Sequence, residues 1–99
     1  MAVKVLISRQ IKEGALVDVL MALSQLRSKA LQQPGYISGE TLVGEDDPHL
    51  LVVISTWDDA ASWRKWKEDP ARWSAEQRIE PFLSQPPRYE VFRMRPYGG

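Results

Sequence analysis

Val3, Val5 and Ile7 alternate with Lys4, Leu6 and Ser8. That two-residue period predicts a strand from Val3 to Gln10 with both faces at least partly buried. From about Gly14 to Gln32 the period lengthens. Leu16, Val19, Leu20, Leu23, Leu26 and Ala30 recur at three- and four-residue steps, the apolar stripe of an amphipathic helix. Pro34-Gly35 ends it, because proline cannot continue a helix and glycine turns the chain. Tyr36 to Val43 predicts a second strand, and Gly44 to Pro48 a polar loop. His49 to Trp57 contains Leu50-Leu51-Val52-Val53-Ile54, apolar on both faces, and forms the third strand of an antiparallel hairpin. Asp58 or Asp59 caps a helix running to about Glu68. Asp69-Pro70 starts another, to about Ile79, with aspartate at the cap and proline at the first helical position. Arg88 to Arg95 alternates again as a last strand, and Tyr97-Gly98-Gly99 reads as a loose tail.

The order β-α-β-β-α-β is the split arrangement of a ferredoxin-like α+β fold, an antiparallel sheet with helices on one face. The 99 residues suffice for a single domain, residues 1–99, with a thin core. The third strand is apolar on both sides, so the helix-free face of the sheet also needs cover. A second copy of the chain is the expected cover, making the protein a homodimer.

Composition narrows the chemistry. Thirteen basic residues balance thirteen acidic ones, and no net field favours nucleic acid or a membrane surface. Arg64, Lys65, Lys67 and Arg72 interleave with tryptophans, but Glu68, Asp69 and Glu76 interrupt them, so nucleic-acid binding is not expected. No apolar run approaches the ~20 residues of a membrane span. The absence of cysteine excludes disulfides and thiolate chemistry and suits a cytoplasmic location. The sole histidine, His49, stands beside the hairpin loop, where solvent exposure is expected. All four tryptophans fall between Trp57 and Trp73. Such a cluster suits a small aromatic ligand better than it suits attack on one.

Several of these features, in this order, resemble the antibiotic biosynthesis monooxygenase family, whose small domains pair into dimeric α+β barrels. They are Gln33-Pro34-Gly35-Tyr36 closing the first helix, Ile54-Ser55-Thr56-Trp57 ending the hairpin, Ser62-Trp63-Arg64-Lys65-Trp66 on the next helix, Arg72-Trp73, and Tyr89-Glu90-Val91. The resemblance implies a cofactor-independent monooxygenase acting on a phenol or quinol, with no metal or flavin required. It also brings in haem-degrading relatives, with an asparagine on the first strand, a tryptophan on the post-hairpin helix and a histidine further on. Trp66 matches the tryptophan, but Ser8 and Glu76 stand at the other two positions, so haem degradation is not expected.

The candidate substrate-binding residues are therefore Trp66, Ser8, Tyr36, Trp63 and Trp73, with no catalytic group assigned. Trp66 and Trp63 share part of a helix surface and either line a cavity or fill the core. Trp73 closes one end of a cleft or staples its helix, Trp57 is structural, and Tyr36 and Tyr89 are phenol partners or core aromatics. The competing reading is a non-catalytic ligand-binding or dimerisation module on the same fold. Convergence of Trp66, Ser8 and Tyr36 on an enclosed pocket of a few hundred Å³ favours the enzyme; a filled space favours the module.

Overall fold

The computed structural model of the protein describes residues 1–95. The tail Tyr97-Gly98-Gly99 lies outside the described residues. Strand β1 (Val3–Gln10) leads through α1 (Leu16–Ala30) to the hairpin of β2 (Tyr36–Val43) and β3 (Leu50–Trp57). Helices α2 (Ala60–Lys67) and α3 (Pro70–Ile79), then a 3₁₀ turn (Glu80–Phe82), precede β4 (Arg88–Arg93). The strands form one antiparallel sheet in the order β2-β3-β1-β4. This is the expected ferredoxin-like α+β arrangement, and its elements match the predicted ones to within two residues at each end.

The local causes are those the sequence carries. On α1 the buried residues Val19, Leu23, Leu26 and Ala30 follow steps of four, three and four, so one stripe faces the sheet. Gly35, at φ 87°, makes the turn out of α1. Its carbonyl accepts the Asp58 N–H at 2.7 Å, which binds the start of β2 to the end of β3. Asp59 caps α2 by accepting the Ser62 N–H at 2.8 Å, and that bond holds its carboxyl below the ordinary value of 3.8. Asp69 caps α3 through the Ala71 N–H, also at 2.8 Å.

The alternation of β1 decides the two faces of the sheet. Val3, Val5, Ile7 and Arg9 are buried beneath the helices, whereas Lys4, Leu6, Ser8 and Gln10 point away from them. From β3, Leu51, Val53, Ser55 and Trp57 join the helix-covered side, and Val52 and Ile54 join the other. A bulge between Tyr36 and Ser38 lets Tyr36 pair with Trp57, leaving Ile37 exposed. After α3 the chain returns along the end of β1. Ser84 N–H donates to the Gln10 carbonyl and Lys12 N–H to that of Phe82, each at 2.9 Å. This return segment forms one wall of the site.

Candidate functional site

Two of the tryptophans, Trp57 and Trp63, and the two candidate tyrosines form one chain of rings under the helices. Tyr36 meets Trp57 edge-on, with centroids 5.2 Å apart. Trp57 lies 5.9 Å from Trp63, and Trp63 lies 6.3 Å from Tyr89. Trp57, Trp63 and Trp66 are all buried, and the Trp57 indole N–H donates to the Ser55 hydroxyl at 3.0 Å. Each buried indole removes ~150–250 Å² from water, on the order of 4–6 kcal/mol as an upper bound. Packing is the first role of this cluster.

A polar group lies at the end of the ring chain. Arg9 of β1 and Arg72 of α3 both donate to the same oxygen, Oε1 of Glu76, with Arg72 at 3.3 Å. Arg72 also donates to the Tyr89 hydroxyl at 2.8 Å. Its guanidinium carbon lies 5.3 Å from the Trp63 ring centre and 5.2 Å from that of Tyr89. Lys67 reaches over the other part of Tyr89, 4.9 Å from its centre. Arg9, Arg72 and Glu76 are buried. Two guanidiniums against one carboxylate leave a positive charge in the interior.

Cavities lie on both sides of this polar wall, and Arg72 lines each. The inner one, of about 60 Å³, sits between the sheet, α1 and α2 and is lined by Tyr36, Trp57, Trp63 and Trp66. The outer one, of about 530 Å³, is a cleft between α3, the return segment and β4, and its walls include Lys67, Trp73, Leu83 and Tyr89. Small-molecule sites usually run to ~300–1,000 Å³. The cleft lies in that range and the inner cavity does not.

The five predicted site residues do not all come together. Trp66, Trp63 and Tyr36 converge on the inner cavity, where about 60 Å³ is left between the side chains. Trp73 is 58% exposed and stands in the cleft instead. Ser8 is the correction. It lies on the opposite face of the sheet, because Val3, Val5 and Ile7 set an inward register whose next member is Arg9. Arg9, the neighbour that a one-residue shift of register puts in the place of Ser8, faces inward, and its pairing with Glu76 is what sequence reasoning missed. The signal was present: a charged residue at an inward position of an apolar strand must find a buried counter-ion. His49 is half-exposed beside the hairpin loop, with Nε2 2.9 Å from a Glu13 carboxylate oxygen, well away from this wall.

A ferredoxin-like domain with an aromatic cluster beneath its helices defines the class. The sequence profile of the antibiotic biosynthesis monooxygenase family matches residues 2–77. The chain belongs to that family. Protein SchA of Streptomyces halstedii is 24% identical over 93 residues, which cover 92% of this chain and 24% of SchA. The chain thus spans about a quarter of that curated relative. Among solved structures, a conserved protein from Methanosarcina mazei Go1 superposes with a TM-score of 0.89 at 16% identity, covering 96% of this chain and 94% of that one. SnoaB, a cofactor-independent oxygenase from Streptomyces nogalater, superposes at 0.85 with 16% identity, covering 98% and 96%. At these identities the likeness establishes a shared, monooxygenase-like fold.

Proposed function

We propose that the protein is a cofactor-independent monooxygenase of an aromatic phenol or quinol, bound in the cleft between α3 and β4. One observation carries this reading. A cleft of about 530 Å³ has Trp73 and Tyr89 in its walls together with two cations, Lys67 and Arg72. Its lining also holds Glu80 and Glu76, the latter already paired with Arg72. Cations beside a phenol favour its ionised form, so the proton leaves for water and the oxygen anion stays between Lys67 and Arg72. The electron-rich anion then passes an electron to dioxygen, and the two radicals combine at ring carbon. Loss of water from the resulting peroxide leaves the new carbonyl, so that one oxygen atom enters product and the other enters water. The protein supplies orientation and charge, and the substrate supplies the electrons. SnoaB, with the same fold, is a cofactor-independent oxygenase, which supports the reading.

Oxygen uptake by metal-stripped protein with a panel of reduced quinols and polycyclic phenols tests it. Uptake should exceed autoxidation, and Lys67→Met should raise KM roughly tenfold through loss of a charge-assisted contact. Uptake no faster than autoxidation across the panel rejects it. The second reading, a non-catalytic ligand-binding module, draws on the tight packing of Trp63 and Trp66 around only about 60 Å³. It predicts ligand-induced quenching of Trp73 without oxygen uptake.

The proposal extends to a cytoplasmic homodimer. The helix-free face of the sheet carries Leu6, Val52 and Ile54 in its interior, with Leu42 45% and Phe92 49% exposed at its flanks. A second copy of that face would cover this apolar surface.

A further inference from the structure

We infer that the inner cavity is a binding site for a small oxygen-bearing monoanion of the carboxylate class, held by Arg9. Three observations meet there. Arg9 has a fully buried side chain, yet its Nε and Nη1 have no hydrogen-bond partner among the described residues. Leaving such donors empty costs more than their pairing yields, and charged donors cost the most. Among the described residues, the cavity lining holds three arginines, Arg9, Arg27 and Arg72, and no carboxylate. Glu76 answers only one of the two buried guanidinium charges, through a single oxygen. The missing counterpart is one negative charge with acceptor oxygens.

The size of the space sets the ligand. About 60 Å³ admits a group of a few heavy atoms, such as a carboxylate, and any ring attached to that group would lie outside, at the mouth by Arg27 and Thr41. Ser55, whose hydroxyl oxygen already accepts from Trp57, has its own O–H left to donate into the lining. Most of the remaining walls are apolar, the three tryptophans with Leu23, Leu26 and Val53 among them, which keeps water scarce and the charge attraction strong. The lining extends to the exposed Arg27 and Thr41, where an ion would enter between α1 and β2. The site does not depend on turnover in the cleft, so it stands or falls separately from the oxygenase reading.

The same chemistry has two sources, a free small carboxylate or the carboxylate end of a larger molecule. Formate and benzoate distinguish them, titrated at fixed ionic strength against a bulky sulfonate buffer anion. Tryptophan fluorescence and the melting temperature are the readouts, because Trp57, Trp63 and Trp66 line the cavity. Formate should give a saturable fluorescence change and raise Tm. Benzoate binding tighter than formate identifies a larger carboxylate, and formate alone identifies a free ion. Arg9→Met leaves Glu76 paired with Arg72 and should weaken binding about ten- to a hundredfold. Glu76→Gln raises the uncompensated charge and should tighten it. Arg27→Met, an exposed change that the fold tolerates, should weaken it severalfold and serves if the buried variants do not fold. A non-saturable response equal to that of the sulfonate, or unchanged affinity in Arg27→Met and in whichever buried variants fold, overturns the inference and leaves a cavity filled by water.

Discussion

Arg9 puts a permanent charge at an inward position of β1 where the three preceding inward residues are Val3, Val5 and Ile7. Its burial is tolerable because Glu76 and the surrounding rings replace part of its hydration. The tryptophans divide by the same residue-scale logic. Trp66 is 4% exposed, and Trp66→Ala should cost about 3–5 kcal/mol in urea unfolding, a large share of a small domain's stability. Trp73 is exposed, so Trp73→Ala should change stability by no more than ~0.5 kcal/mol. It should nevertheless weaken any phenol that occupies the cleft, measured by equilibrium binding. Equal stability losses in the two variants would contradict this division of roles. The tryptophan cluster was visible in the chain, but helical spacing alone could not separate a packed Trp66 from an exposed Trp73.

At the scale of elements, a close junction joins the start of β2 to the first turn of α2. A Cβ added at Gly35 would collide with the Ser62 side chain, and Gly35 also holds a positive φ. Gly35→Ala should therefore cost about 1–2 kcal/mol from the backbone conformation alone, and more from the collision. In a double-mutant cycle, Ser62→Gly should relieve the steric part and leave the backbone part. Additive losses would show that no collision operates. This junction was half legible. Pro34-Gly35 announced a turn, and Asp59 a cap, but their contact joins segments more than twenty residues apart. Strand and helix limits were legible almost throughout, because they rest on periods of two and 3.6 residues that a single segment carries.

For the molecule as a whole, the uncovered sheet face carries the strongest expectation. Leu6 and Ile54 are cross-strand partners near the middle of that face. If two copies pair there, light scattering should give twice the 11.3 kDa chain mass. Leu6→Lys should shift the protein to monomer while circular dichroism keeps the fold, since burying an unpaired ammonium is costly. A wild-type monomer at micromolar concentration would reject the pairing. The continuous apolar run of β3, hydrophobic on both faces, already carried this expectation in the sequence. The sequence also carried the order of elements and the sheet, but not which face each tryptophan occupies. Tertiary structure decided which polar groups meet. It set Ser8 on the far face, brought Arg9 against Glu76 across 67 residues of chain, and left the larger space beside Trp73 rather than Trp66. The reason is physical: periodicity reports which way a residue faces within its own element. The partner of a buried charge, and the space left between packed rings, depend on segments far away in the chain.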